Sequence, residues 1–209
     1  LKPNNVKASY LQEPTQIKIH NCIHIYNAIE YFKENHPFTN FYGSSSGIID
    51  WSIFENKIIE ISYRYKYIRE LPNTHSLQDY DSIKIRRMNK RLIVPVTASY
   101  KNKTINDSVI IDTGSNSVLH FSNNLASRYD ITMDEAVKVG KSTMANGQKK
   151  GFSVTADTIK VGESFVINQS LGFGEINYKY GLLGNHFLEN FDVVLDLKNY
   201  CLYLKPLNK

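Results

Sequence analysis

The sequence predicts a mostly β chain, and three observations carry that expectation. Ile, Val, Tyr and Phe outweigh Ala and Leu, with 14 Tyr and 10 Phe, and β-branched and aromatic residues favour the pleated surface of a strand. Short apolar or alternating runs recur along the whole chain with turn residues between them. Helical signals, by contrast, are few and brief. With 42% hydrophobic and 22% charged residues, the 209 residues can bury a core of ordinary size, enough for one larger domain or two small lobes.

Taken in order, Ile17-Lys18-Ile19, Ile23-His24-Ile25, Ile58-Ile59-Glu60-Ile61 and Leu92-Ile93-Val94-Pro95-Val96 read as strands. Val109-Ile110-Ile111, Thr158-Ile159-Lys160-Val161, Val193-Val194-Leu195 and Cys201-Leu202-Tyr203-Leu204 read the same way. Asn146-Gly147 is a two-residue hairpin turn signal, because both positions tolerate positive φ. Residues 122–128 and 185–190 are the expected short helices.

Residues 72–88 are polar and aperiodic and are expected to be a linker. On either side of it the chain repeats itself. With a shift of 134, Gly47-Ile48-Ile49 falls on Gly181-Leu182-Leu183, and Ile53-Phe54-Glu55-Asn56 falls on Phe187-Leu188-Glu189-Asn190. The same shift carries Ile59 and Ile61 onto Val193 and Leu195, Arg64 onto Lys198 and Ile68 onto Leu202. A duplication follows, with residues 1–71 as the rear part of a first lobe and 89–209 as a complete second lobe.

Chemistry concentrates at Val109-Ile110-Ile111-Asp112-Thr113-Gly114-Ser115. An apolar strand buries its backbone and holds Asp112 at its tip, where water is partly excluded. Gly114 allows a sharp turn after the carboxylate. Thr113 offers a hydroxyl that can bond across a twofold axis to a matching loop, and Ser115 can donate to the outer carboxylate oxygen. Sixty-nine residues after Asp112 comes Gly181-Leu182-Leu183-Gly184, then a short helical stretch and two closing strands.

In this order, residues 89–205 resemble the retropepsin-like and pepsin-like aspartic proteases. The resemblance implies a mostly β, bilobal, acid-protease-like β-barrel fold, with the second lobe complete and the first partial. It implies Asp112 as a catalytic carboxylate, with Thr113, Gly114 and Ser115 shaping its loop and Leu182, Leu183 and Gly184 passing beside it in support. Residues 142–154 would be a flap hairpin carrying Met144, Asn146 and Gly147 at its tip. The implied reaction is hydrolysis of a peptide or protein substrate by an activated water, with no cofactor and no metal.

One carboxylate is not a catalyst. Two within hydrogen-bond reach share a proton, because like charges that close cannot both ionise. No Asp precedes Asp50, and Asp50 stands where the second lobe has Gly184, a supporting position. The second carboxylate is therefore expected from an upstream N-terminal fragment of the same precursor or from a homodimer partner. The competing class is a catalytically inactive relative that binds a peptide or protein in its cleft.

Weaker constellations have plainer readings. His20, Cys22 and His24 alternate on one strand face but lack a fourth ligand, so no metal site is expected. Tyr63, Tyr65 and Tyr67 alternate as if packing on one face, and His120 has no nucleophile context, which leaves it a structural role. Cys22 and Cys201 could pair once, but nothing in the sequence says that they meet. A net charge of +5 with scattered Lys and Arg argues against a nucleic-acid groove. No apolar run approaches the ~18 residues of a membrane span. Leu1 opens the sequence without a signal-peptide pattern, which reads as a boundary set by processing or by the choice of expressed segment. The compartment is not fixed by the sequence, with an extracytoplasmic setting the working expectation.

Overall fold

The computed structural model describes the backbone of residues 9–10, 15–19, 22–26, 29–31, 47–144, 147–176 and 179–207, and the side chains of 50–141, 149–176 and 179–207. The chain forms two compact units, one of Leu1–Ile53 with Ser142–Lys149, the other of Phe54–Lys141 with Lys150–Lys209.

In the first unit, β1 (Ser9–Tyr10), β4 (Ile29–Tyr31) and β5 (Gly47–Ile49) form a three-stranded antiparallel sheet. Strands β2 (Thr15–Ile19) and β3 (Cys22–Tyr26) pair as a hairpin. Cys22 and His24 lie on β3, while His20 falls outside the described residues. A 3-10 turn at Trp51–Phe54 follows β5, and Asp50 Oδ1 accepts from the Ser52 amide at 2.8 Å to cap it.

The second unit is built on two sheets. Its barrel comprises β9 (Arg86–Met88), β10 (Arg91–Tyr100), β11 (Lys103–Ile111), β12 (Leu119–Ser122), β13 (Lys138–Met144), β14 (Gly147–Val161), β15 (Ser164–Gly174) and β16 (Gly181–Leu183), of which residues 142–144 of β13 and 147–149 of β14 are grouped with the first unit. The order β14-β15-β12-β16-β11-β10 closes on itself because β10 also pairs with β14, Thr97 opposite Lys160. Alternation in β10 supplies one wall of the core: Leu92, Val94, Val96 and Ala98 are buried, and Pro95 is exposed. Pro95 lies in the gap between the β9 pairing at residues 91–93 and the β14 pairing at 97–99. Its missing N–H therefore costs no ladder bond.

The other sheet has the order β7-β6-β17-β18-β8, from β6 (Ile58–Ser62), β7 (Tyr67–Leu71), β8 (Asp81–Lys84), β17 (Phe191–Asp196) and β18 (Cys201–Pro206). Cys201 enters it as a buried thiol. Residues 54–71, read from the sequence as part of a first lobe, lie in one compact unit with residues 89–141 and 150–209, and β6 pairs antiparallel with β17. Segment 72–88, read as a linker, carries β8 and β9, which join β18 and β10. Ile83 and Ile85 anchor it in the core, each 5% exposed.

Registers in this sheet obey the 134-residue shift. Each β6–β7 pair, from Ile58↔Leu71 to Ser62↔Tyr67, becomes a β17–β18 pair when 134 is added to both members: Glu60↔Arg69 becomes Val194↔Tyr203. Glu60 also lies directly opposite Val194, its own shifted counterpart, so a local twofold axis passes between them. The hairpin turns match too. Lys66 and Tyr200, 134 apart, both have positive φ, at 57° and 53°. Ser62 accepts from the Tyr65 amide as Asp196 accepts from the Asn199 amide. At the outer strand the likeness ends: Ile68 is 47% exposed, while Leu202, covered by β8, is fully buried.

Among the described residues, the α-helices are α1 (Asn123–Arg128), capped by Ser122, whose hydroxyl accepts from Leu125, and α2 (Asn185–Leu188), which buries Phe187 and Leu188.

Candidate active site

Val109, Ile110 and Ile111 are all buried, and they lie parallel to Gly181, Leu182 and Leu183 of β16. Such a run on both faces suits a strand enclosed in a closed sheet. The Asp112 amide continues the ladder one residue further, donating to the Leu183 carbonyl at 2.9 Å. Asp112 is thereby fixed where the buried pair ends and the chain turns outward.

The loop then folds back. Ser115 N–H donates to the Asp112 carbonyl at 3.1 Å, and Gly114 N–H donates to Asp112 Oδ1 at 2.9 Å. A Cβ on residue 114 would lie 3.1 Å from Oδ1, so glycine keeps this approach unstrained. Burial pushes the Asp112 carboxyl above the usual carboxylate range, opposed by the Gly114 N–H and by the positive charge of Arg91. Ser115 does not serve the carboxylate as the sequence suggested: its hydroxyl bonds to the Ser117 hydroxyl at 2.8 Å and accepts from the Ser117 amide. The side chain closes the turn in preference to reaching back.

Leu182, Leu183 and Gly184 do pass beside this loop. Gly184 N–H donates to the Val118 carbonyl, Asn185 N–H to Ser115 at 2.8 Å and His186 N–H to Ser117. Asn185 adds a bond that no sequence pattern announces: its Nδ2 donates to the Thr113 carbonyl at 2.7 Å, and its Oδ1 accepts from the Tyr63 hydroxyl at 2.6 Å. Tyr63 and Tyr65 stand in the β6–β7 turn, so the three tyrosines do not line one strand face. Met144 and Gly147 end β13 and begin β14, consistent with a hairpin there. Their side chains, and Asn146 altogether, lie outside the described residues.

His120 is structural in its packing. On β12 its ring fills the space left by Gly172 and Gly174 of β15, where added Cβ atoms would come within 2.6 Å of Nδ1 and 3.0 Å of Nε2. Its Nε2 is buried without a hydrogen-bond partner, and burial holds the ring below the usual histidine pKa. A proton is thus bound more readily by the unfolded chain than by the folded one. Stability is fully present above about pH 6.5 and falls as pH drops through that value, at up to about 1.4 kcal/mol per pH unit. Urea unfolding at pH 7.5 and pH 5.5 should show this loss, and His120→Phe should remove that component of the slope whatever its absolute stability.

Among the described residues, no group of three or more His, Cys, Asp or Glu side chains is arranged to hold a metal ion. Residues 97–190 match the family described as "gag-polyprotein putative aspartyl protease". A solved structure of a retropepsin-like aspartic protease from Rickettsia conorii matches with 19% identity, over 60% of this chain and 93% of that chain, at a TM-score of 0.46. No curated protein matches the sequence.

Proposed function

We propose that this chain, whose residues 97–190 match the gag-polyprotein aspartyl protease family, is an aspartic endopeptidase in which Asp112 is one member of a carboxylate pair. The observation that carries the reading is a partly buried carboxylate at the end of the β11–β16 pair, held by the Gly114 N–H inside the matched segment. Burial favours its protonated form. With a like-charged mate it would share one proton, the ionised member drawing a proton from water and the neutral one polarising the scissile carbonyl. Water attacks directly, and the tetrahedral adduct collapses to a new carboxyl and a new amine.

The mate comes from an upstream segment of the same precursor or from a second subunit. The twofold relation between β6–β7 and β17–β18 supports the first source. β17 already pairs with β6 on one side and β18 on the other, so neither edge of β17 is open to a second copy. The duplicated hairpins are the rear parts of two related lobes, and the counterpart of Asp112 belongs to the front of the first. Thr113, with its side chain exposed at the loop tip, is placed to bond to a matching loop.

Digestion of a peptide library by the native protein, read by mass spectrometry, tests the activity. Internal cleavage yielding only free carboxyl ends, with no hydroxamate when hydroxylamine is added, is the expected result. Acyl transfer to hydroxylamine, or peptide binding with no cleavage between about pH 3 and 7, would count against it. Native mass of the active particle separates a single chain with its upstream segment from a doubled chain.

A further inference from the structure

We propose that Tyr63 is a positioning residue for the Asp112 loop, acting through Asn185 to fix the peptide between Thr113 and Gly114 and so to aim the Gly114 N–H at the carboxylate. This rests on the aspartic-peptidase reading and extends it to the loop's support. The chain of contacts is short and directional. The Thr113 carbonyl can only accept, so the amide nitrogen of Asn185 must face it, at 2.7 Å. That leaves Oδ1 toward Tyr63, whose hydroxyl donates at 2.6 Å.

The carbonyl of Thr113 and the N–H of Gly114 belong to one planar trans peptide, so they point in opposite directions. Holding the carbonyl therefore sets the direction of the N–H, which meets Asp112 Oδ1 at 2.9 Å. Glycine at 114 makes that hold necessary, since its backbone has no side chain to restrict rotation. Tyr63 is suited to the task because burial, reinforced by Glu189, keeps its phenol protonated far above any working pH. It is always a donor.

The relay is not a by-product of the repeat. With the 134-residue shift, Tyr63 corresponds to Leu197, which is 4% exposed, and Asn185 corresponds to Trp51. Neither counterpart can reproduce the bond. The second half of the duplication thus receives a polar support from the hairpin of the first, tying the loop that carries Asp112 to the neighbouring repeat.

Tyr63→Phe, Asn185→Ala, Asn185→Asp and the Tyr63→Phe/Asn185→Ala double variant of the active protein test this. Tyr63→Phe should lower kcat about 3- to 10-fold with KM within about twofold and Tm nearly unchanged. Asn185→Asp, which cannot donate to Thr113 once ionised, should be as impaired as Asn185→Ala at pH values above the usual carboxylate range. The double variant should be no worse than Asn185→Ala alone. With the Gly114 N–H released, Arg91 remains as the described group favouring the ionised Asp112, and the acid limb of the kcat/KM profile moves to higher pH.

Unchanged kcat and profile in Tyr63→Phe, additive effects in the double variant, or losses that follow Tm alone would overturn the relay. Hydrogen exchange at the Gly114 amide gives a readout independent of catalysis. Faster exchange in Tyr63→Phe is expected, and an unchanged rate would sink the relay even where hydrolysis is lost. Wild-type cleavage that survives Asp112→Asn would instead sink the peptidase reading.

Discussion

Asp112→Asn should abolish peptide hydrolysis, lowering kcat/KM by about 10³-fold or more while shifting Tm by no more than about 2 °C. The asymmetry follows from the contacts. Asparagine retains an oxygen that can accept from Gly114 N–H, as Oδ1 does at 2.9 Å, and its backbone keeps the bond to Leu183. Burial that opposes ionisation of the aspartate imposes less on a neutral amide. What disappears is the ability to hold or release a proton. In a pair, the apparent pKa values belong to both carboxyls together, so losing one removes the shared proton altogether. Wild-type activity should likewise decline as pH rises through the elevated upper value, where that proton is lost. Steady-state cleavage of one defined peptide, beside thermal melts, checks both halves. Cleavage at the wild-type rate by the Asn variant would leave Asp112 without a catalytic role.

The parts of this site that could be read from the sequence are those fixed by repetition or by apolar runs. Val109-Ile110-Ile111 before Asp112 is legible because a strand covered on both faces must be apolar throughout, and the structure buries all three. The β6–β7 and β17–β18 hairpins are legible as a pair because their spacing matches even where side chains differ, as Lys66 and Tyr200 show at their shared positive φ.

Tyr63, Asn185 and Thr113 were not legible as a unit. They are polar residues on separate elements, and the Tyr63–Asn185 bond spans 122 positions, so no periodicity announces it. For Ser115 the reason is different: residue type sets what a hydroxyl can do, but the nearby Ser117 decides where it turns. In segment 72–88, charged and turn-forming residues surround Ile83 and Ile85, and the strands there depend on β18 and β10 as pairing partners far along the chain.

Gly184→Ala should destabilise the fold by about 3 kcal/mol, lowering Tm by roughly 6–12 °C, and reduce kcat/KM by about 10²-fold. The cause is space and not backbone conformation, because φ at Gly184 is −105°, open to any residue. An added Cβ would come within 2.4 Å of the Ser117 carbonyl and 2.6 Å of the Ser115 carbonyl. Neither oxygen is the free end of a flexible side chain. Ser115 accepts from the Asn185 amide and Ser117 from the His186 amide, so relief requires moving the segment that follows Asp112 away from the start of α2. That motion would also stretch the Asn185 bond to Thr113, coupling the packing defect to the orientation of the Gly114 N–H. Gly140→Ala is the matching control: nothing lies within 4 Å of its added Cβ, and stability should stay within about 0.5 kcal/mol of wild type. If Gly184→Ala melted and turned over like Gly140→Ala, the close contact between β16 and the Asp112 loop would not govern the geometry of the carboxylate.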